Sequence, residues 1–347
     1  MAGPGRLNPV GLVGAGVVTA IGGWTALNRA AVGRFSRTPD LSDPAGLTMP
    51  PDLVEHGLTM SDGWGLRVLE RGPCDGPPVL LLHGITLAAA VWPYQLSALG
   101  DAGLRVVALD MRGHGGSGGA VDGGRTGTGA PLFTLDRMAE DVAEVMEALD
   151  LRRVTVVGHS MGGMVALRLL GADPGLAAGA GRVRSLVLAG TTAHAAKGRG
   201  VPGLSEAVAL AQPLVTSASG LAARLPGPTL PAHDLAYLAA RITFGQVPSP
   251  RHVAFTGKLT SEVPVRVSAG LMLEIVRFDA DDVLAGIRLP TTVVVGEQDL
   301  ITPPPQAERL AKGIAGAKLV VLARCGHMLM LERPAELNRL ILERAGS

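Results

Sequence analysis

The segment Gly158-His159-Ser160-Met161-Gly162 matches the pattern G-x-S-x-G, which can carry nucleophilic chemistry. A continuous apolar run, 154–157, comes directly before it, and an apolar pattern with helical spacing, 161–170, comes directly after it. Between a strand and a helix, this turn presents a strained serine at the end of a sheet, and glycines on both sides relieve the crowding. We therefore predict Ser160 as the nucleophile. The alternative interpretation is an ordinary glycine turn that enters a helix.

A serine hydroxyl is a weak nucleophile and requires a base within hydrogen-bond reach. Among the eight histidines, His327 lies in a loop after the last apolar run, 319–322, at the sheet edge where open α/β sheets place their ligands. His159 lies inside the serine turn, and we expect its side chain to point away from Ser160. His83 and His114 each come before a glycine soon after a strand, which favours structural roles. The others lie in the leading segment or the long insertion described below: His56, His194, His233 and His252. His327 is therefore the predicted general base.

The base must be held in one tautomer by a carboxylate. The segment Gly296-Glu297-Gln298-Asp299 follows the apolar run 292–295 at the same predicted sheet edge. Asp299 lies deeper in this loop and is the predicted acid, and Glu297 is the alternative. The resulting chain order, serine then aspartate then histidine, is the one expected for this arrangement around a G-x-S-x-G turn.

Backbone N–H groups must also stabilise the oxyanion of an acyl-transfer reaction. Met161, the residue after the nucleophile, should supply one donor, and Ile85, in the loop after the run 79–82, should supply the second. Gly84 would let this loop approach the reacting centre closely. Metal-ligand spacings such as H-E-x-x-H or paired C-x-x-C are absent from the sequence, so we predict no metal and no other cofactor. Cys325, two residues before His327, is interpreted as a small buried loop residue.

Short apolar runs alternate with helical patterns along most of the chain, and this alternation predicts where the candidate residues stand. A continuous apolar run is typical of a strand buried on both faces. The pattern predicts an α/β fold with a mostly parallel, twisted sheet and helices on both faces. The predicted strands are 53–60, 66–70, 79–82, 106–109, 154–157, 186–188, 292–295 and 319–322, and the predicted helices are 90–99, 135–149, 161–170, 305–314 and 334–343.

A long insertion interrupts this alternation before the acid-bearing strand. Residues 191–288 contain helical patterns at 204–214, 235–243 and 267–276 without a convincing buried strand, and we predict a helical lid. A glycine-rich stretch, 118–131, is predicted to be a surface loop. The predicted organisation is therefore an N-terminal apolar segment and linker (1–50), the first part of the core (51–190), the lid (191–288) and the second part of the core (289–347).

The composition suits a globular domain more than a nucleic-acid-binding protein. The chain has 347 residues, of which 47% are hydrophobic, and a formal net charge of +1. It therefore has enough apolar residues for a core but no basic field that would attract nucleic acid. Two isolated cysteines, Cys74 and Cys325, do not settle the redox compartment.

The apolar stretch at 10–27 (VGLVGAGVVTAIGGWTAL) is near the lower length limit for crossing a bilayer. Three interpretations stay open: a membrane anchor, a helix that packs on the domain or on a partner, and a signal peptide. If it spans a bilayer, Arg29, Arg34 and Arg37 outnumber Arg6 and place the catalytic domain on the cytoplasmic side. The expected localisation is membrane-associated or cytoplasmic. The sequence does not predict the oligomeric state.

From about residue 53 onward, the chain resembles the α/β-hydrolase superfamily in its lidded serine esterase and lipase-like branch. The motifs are Leu82-His83-Gly84 with Trp92 downstream, the stretch 110–117 (DMRGHGGS), the serine turn, Gly296–Asp299 and Gly326-His327-Met328. Dehalogenases and epoxide hydrolases of this superfamily carry aspartate where this chain has Ser160, which argues against both activities. In the family the stretch 110–117 is a structural turn, so Asp110 and Arg112 are not expected to be catalytic.

The resemblance implies hydrolysis of a small-molecule acyl substrate, a carboxylic ester or thioester, through a Ser160 acyl-enzyme. The aliphatic residues of the predicted lid and the possible membrane anchor favour a lipophilic substrate. The same three residues would also support carbon–carbon bond hydrolysis or acyl transfer to an acceptor other than water. A non-catalytic hydrolase-fold protein is the alternative from a different functional class.

Overall fold

The computed structural model describes residues 47–118, 132–177, 181–194 and 234–346. Several predictions fall outside these ranges: the apolar segment 10–27, the helical pattern 204–214, most of the loop 118–131, and His233. The remaining predictions can be compared with the structure.

The described part of the chain forms an eight-stranded sheet in the order β1-β2-β4-β3-β5-β6-β7-β8. The pairs β1–β2 and β2–β4 are antiparallel, and all other neighbours are parallel. Every predicted strand is confirmed within a few residues. The strands are β1 Val54–Thr59, β2 Gly65–Arg71, β3 Pro78–Leu82, β4 Arg105–Leu109, β5 Val154–His159, β6 Val183–Ala189, β7 Thr291–Gly296 and β8 Lys318–Leu322.

Helices cover both faces of the sheet because its central strands are apolar on both sides. In β3, for example, Leu80 and Leu82 pack into one cluster, and Val79 and Leu81 into the other. The first cluster is covered by α2 (Leu135–Ala148), α3 (Met161–Ala172) and α8 (Pro304–Gly313), the second by α1 (Pro93–Asp101) and α10 (Pro334–Gly346). The predicted helix 90–99 is in fact a 3₁₀ turn, Ala89–Val91, followed by α1, because Pro93 lacks an N–H and favours the first turn of a helix.

The insertion between β6 and β7 is helical where it is described. It contains α4 (Asp234–Arg241), α5 (Pro250–Glu262), α6 (Val265–Arg277) and the short α7 (Asp281–Leu284). The sequence patterns indicated α4 and α6 but not α5. Its start could have been recognised, since Ser249 accepts a capping hydrogen bond from the His252 N–H and Pro250 is the first helical residue.

Candidate active site

Ser160 has a backbone conformation that a non-glycine residue rarely adopts. Its φ is 53° and its ψ is −117°, between the end of β5 and the start of α3. Such a conformation costs on the order of 1–3 kcal/mol and persists only where the surrounding structure enforces it. A Cβ at Gly158 would lie 2.6 Å from the Gly162 carbonyl oxygen, and a Cβ at Gly162 would lie 2.2 Å from the Leu82 carbonyl oxygen. Only glycine fits at these positions, which explains the motif.

His327 and Asp299 meet at the carboxyl edge of the sheet. Asp299 follows β7, His327 follows β8, and His327 Nδ1 lies 2.8 Å from Asp299 Oδ2. The other oxygen, Asp299 Oδ1, accepts hydrogen bonds from the backbone N–H groups of Ile301 (2.8 Å) and Thr302 (2.9 Å). The Thr302 hydroxyl donates to Asp299 Oδ2 at 2.9 Å. The carboxylate is therefore held in one orientation, with one oxygen directed at the imidazole.

The surroundings of Asp299 keep it ionised. Burial alone would raise the pKa of this carboxyl, but the charge of His327 and the hydrogen bonds from His327, Thr302 and Ile301 together hold the pKa below its usual value. Glu297, the alternative acid, is exposed, and its Oε2 accepts from the Arg324 backbone N–H at 3.0 Å. Of the two predicted candidates, Asp299 is the carboxylate that contacts His327.

Parallel strand pairing brings Ser160 next to this pair. The Ser160 N–H donates to the Ala189 carbonyl at the end of β6, at 3.0 Å. The next residue, Gly190, lies against the pair, because a Cβ there would be 3.3 Å from His327 Nδ1 and 3.4 Å from Asp299 Oδ2. No hydrogen bond joins the Ser160 hydroxyl to His327 in the described residues. In enzymes without substrate this bond is often long and tightens only when substrate binds.

The loop after β3 lies directly against Ser160. A Cβ at Gly84 would lie 3.1 Å from Ser160 Cβ, so the glycine permits the close approach that the sequence predicted. Ile85 follows Gly84, and Thr86 has a left-handed φ of 61°. Met161 follows Ser160 and opens α3, where the first N–H groups of a helix have no intrahelical acceptor. The start of α3 lies against the loop after β3, because a Cβ at Gly162 would lie 2.8 Å from the His83 carbonyl oxygen. The segments that carry Ile85 and Met161 are therefore neighbours next to Ser160.

Two buried histidines hold this loop through their neutral forms. His83 Nδ1 donates to the Gly84 carbonyl (2.8 Å), and its Nε2 accepts from the Met111 N–H (3.0 Å). His114 Nε2 accepts from the Thr86 N–H at 3.3 Å. Burial lowers the pKa of His83 to about 4, and burial together with the charge of His83 lowers the pKa of His114 to about 3. The predicted structural role of both residues is confirmed.

His159 contacts the candidate base in a way that the sequence did not indicate. Its Nε2 donates to the His327 carbonyl at 2.9 Å, and the two ring centroids are 4.8 Å apart. Burial, followed by the charge of His327, lowers the pKa of His159 to about 3. Sequence analysis also missed Thr302, although the spacing Asp-x-x-Thr is typical of a turn in which the aspartate accepts from downstream groups.

The neighbouring motif residues serve structure. Asp110 Oδ1 accepts from the Ala89 N–H (2.6 Å), and its Oδ2 accepts from the Gly116 N–H (2.9 Å). Arg112 is fully buried and forms a two-point pair with Asp141. Cys325 is buried, and burial raises the pKa of its thiol far above the usual range. An unreactive thiol agrees with the interpretation of Cys325 as a small buried loop residue.

A second polar cluster lies at the base of the insertion. His194, Asp279 and Asp281 bring one nitrogen or oxygen each within 4.8 Å of one another. Both ring nitrogens of His194 already face a carboxylate oxygen, and Asp281 also accepts from Arg309 at 2.7 Å. These contacts describe an ion-paired bridge between the end of β6 and α7.

Comparison with known proteins gives a match to the alpha/beta hydrolase fold family over residues 77–334. This stretch includes the serine turn and the loops that carry Asp299 and His327. The chain belongs to the α/β-hydrolase family. The predicted family and fold class are thereby confirmed.

Similar proteins of this family support hydrolase activity. A Variovorax paradoxus protein named carbamate hydrolase RutD is 31% identical over 277 residues, which cover 79% of this chain and 93% of that protein. The structure of a thermophilic esterase from Thermogutta terrifontis is 26% identical, covers 84% of this chain and 97% of its own, and has a TM-score of 0.66. The structure of the esterase EaEST from Exiguobacterium antarcticum is 24% identical, and the match covers 85% of this chain and 100% of the esterase chain. Its TM-score of 0.68 supports the fold.

None of the helices in the described ranges is both long enough and apolar enough to cross a membrane. The apolar segment 10–27 lies outside those ranges, so its membrane association stays a prediction.

Proposed function

We propose that this α/β-hydrolase cleaves a carboxylic ester or thioester through an acyl-enzyme on Ser160. The observation that carries the proposal is the buried His327–Asp299 pair, with 2.8 Å between Nδ1 and Oδ2, beside a serine in a strained turn. A serine, an imidazole and a buried carboxylate in this relation form the arrangement that activates a hydroxyl for attack on a carbonyl carbon.

In the proposed mechanism, His327 Nε2 accepts the Ser160 hydroxyl proton as Oγ attacks the carbonyl carbon. Asp299 stabilises the imidazolium, and the N–H groups of Met161 and Ile85 stabilise the oxyanion. The tetrahedral intermediate then collapses and expels the alcohol or thiol, which takes the proton from His327. Water attacks the acyl-enzyme with His327 as base again, and the carboxylic acid leaves. This route requires no metal and no organic cofactor.

A lipophilic acyl group is the substrate class that we propose, from the exposed apolar side chains on the segments beside the pair. Four large apolar side chains are exposed on the two segments that hold the pair: Ile242 and Val247 flank the segment that contacts the His327 loop, and Leu300 and Ile301 follow Asp299. The segments are joined by a 2.8 Å hydrogen bond from the Gln246 N–H to Gln298 Oε1. Exposed apolar side chains gathered beside a site are typical of a surface that binds apolar ligands.

We propose that the helical insertion acts as a lid over this site. The hydroxyl of Thr260 on α5 lies 3.4 Å from the hydroxyl of Thr86, in the loop after β3. On the same helix, His252 Nε2 lies 2.9 Å from the Tyr94 hydroxyl on α1. The helix α5 therefore contacts both the loop after β3 and the helix α1.

The resemblance to a protein named as a carbamate hydrolase favours carbamate hydrolysis as a second candidate function. Ser160, with His327 as base, would attack the carbamate carbonyl and expel an amine or ammonia, which takes the proton from His327. Water would then release the remaining carbonyl group from Ser160. Ester and carbamate substrates compared at equal concentration distinguish the two functions, because a carbamate hydrolase should show the higher kcat/KM on the carbamate.

The experiment that tests the proposal is hydrolysis of p-nitrophenyl esters from two to sixteen carbons by the wild type and by Ser160→Ala. Losing a nucleophile that acts as a unit with its base should lower kcat on the order of 10³-fold or more. The rate should also rise from the shortest esters to medium or long acyl chains. Equal activity of wild type and variant would overturn the assignment of Ser160, and a preference for short, charged esters would overturn the lipophilic substrate.

A further inference from the structure

Glu332 is a half-buried carboxylate at the end of α9 (Leu329–Glu332), close to the candidate base in sequence and in space. Its Oε1 accepts hydrogen bonds from the N–H groups of Gly326 (3.0 Å) and Met328 (3.2 Å). Its Oε2 accepts from the N–H of Gly245 at 2.9 Å. Gly326 and Met328 are the two neighbours of His327, so one side chain holds the backbone on both sides of the base.

The same carboxylate also holds the segment on which the His327 backbone rests. The N–H of His327 donates to the Thr243 carbonyl at 2.7 Å, two residues before Gly245. Glu332 therefore joins the loop after β8 to the insertion at residues 243–245. Without the hydrogen bonds of Glu332 to either segment, the His327 loop would lose its position relative to Ser160 and Asp299.

Two glycines make room for this junction. A Cβ at Gly326 would lie 2.3 Å from the Gly245 nitrogen, and a Cβ at Gly245 would lie 3.1 Å from Glu332 Oε2. The two backbones therefore approach at a distance that excludes side chains, and the carboxylate bridges them. This close approach of the two backbones is independent of the hydrogen bonds, and it also indicates that the junction is built around Glu332.

The junction requires an ionised carboxylate, because three N–H donors converge on two acceptor oxygens. An amide or a protonated acid would direct a donor at one of these N–H groups. Burial raises the pKa of Glu332, and the N–H groups of Gly245, Gly326 and Met328 oppose that rise by stabilising the charged form.

We propose that Glu332 is a positioning residue that holds the His327 loop in the geometry for proton transfer with Ser160. This inference rests on the proposed function, because it assigns a role in the same reaction. Its effect should appear in kcat rather than in KM, since the carboxylate bonds to backbone N–H groups of Gly245, Gly326 and Met328 and to no side chain proposed to contact the acyl substrate.

The test compares Glu332→Gln with the wild type and with Glu336→Gln, a matched control at an exposed glutamate of α10. A misplacement of about 1 Å costs on the order of 10²-fold in rate, so kcat of Glu332→Gln should fall about 10- to 100-fold. KM should stay within about threefold and the melting temperature within a few degrees. Glu336→Gln should behave as the wild type.

A Glu332→Gln variant with wild-type kcat, or with a loss in KM alone, would overturn the inference. If that variant does not fold, Glu332→Asp replaces it: the charge remains but the reach shortens by one methylene, so kcat should fall about 5- to 10-fold. Wild-type kcat in Glu332→Asp would then overturn the inference. Labelling with a serine-directed phosphonate separates this failure from failure of the proposed function: a wild type without an adduct on Ser160 refutes the function itself.

Discussion

Asp299→Asn should reverse the tautomer of His327 without removing any atom that fills space. Asp299 Oδ1 accepts from the N–H groups of Ile301 and Thr302, so the amide oxygen of asparagine must take that place. The amide nitrogen then occupies the position of Oδ2, 2.8 Å from His327 Nδ1, and donates to it. An imidazole that accepts at Nδ1 carries its proton on Nε2 and cannot take the proton of Ser160.

The expected loss follows from what remains after this reversal. The Ser160 turn and the proposed oxyanion donors should persist, and only the base function and the stabilising charge disappear. A reversed tautomer in a serine–histidine–aspartate site costs about 10⁴-fold in kcat, which corresponds to about 5.5 kcal/mol of transition-state stabilisation. The free energy of unfolding should change much less, because the two N–H donors keep their acceptor.

The assay is steady-state hydrolysis of the best p-nitrophenyl ester, together with a thermal melt of each variant. Glu297→Gln is the control, since Glu297 stands two residues earlier in the same loop and is exposed; its kcat should stay within about twofold of the wild type. Asp299→Asn with kcat within tenfold of the wild type would refute the role of the carboxylate. A large loss in Glu297→Gln alone would assign the acid to that residue.

Two further predictions concern Gly84 and the three buried histidines near the site. In Gly84→Ala, the new Cβ would lie 3.1 Å from Ser160 Cβ, so Ser160 or the loop must move by a few tenths of an ångström. This displacement should lower kcat about tenfold, while the melting temperature changes little. An unchanged kcat would contradict the close approach. The pKa values of His83, His114 and His159 lie at about 4, 3 and 3 in the fold, below the ordinary value of 6.5, so their stabilising contribution is complete above pH 6.5 and is lost as the pH falls towards these values. Urea unfolding should show a loss of roughly 1 kcal/mol for each histidine between pH 7 and 5.5, and a flat profile there would contradict their burial in the neutral form.

Much of the fold could be predicted because its signals are local. Continuous apolar runs separated by helical patterns identify buried parallel strands, and the structure confirms them within a few residues. The helix α5 was missed because its apolar spacing is interrupted by polar residues, and its stability comes from packing against the core and from its cap.

The candidate site divides in the same way. Ser160 stands in a motif whose strained turn depends on its own glycines, and the loops with His327 and Asp299 follow strands whose carboxyl ends share one edge of the sheet. These placements can be read from the chain alone. The choice between Asp299 and Glu297 depends on which carboxylate turns towards the imidazole, and hydrogen bonds from Ile301 and Thr302 decide that orientation.

The packing of His159 against His327 and the junction around Glu332 exist only in the folded chain. In the chain, Gly245 and Gly326 are separated by three helices of the insertion (α5, α6 and α7) and then by β7, α8 and β8. No local pattern indicates that their backbones approach each other. The amino-acid sequence specified which groups could react, through their residue types and their positions after predicted strands. Tertiary structure decided which polar groups hold them in place, because a carboxylate acquires its partners only when distant backbone N–H groups converge on it.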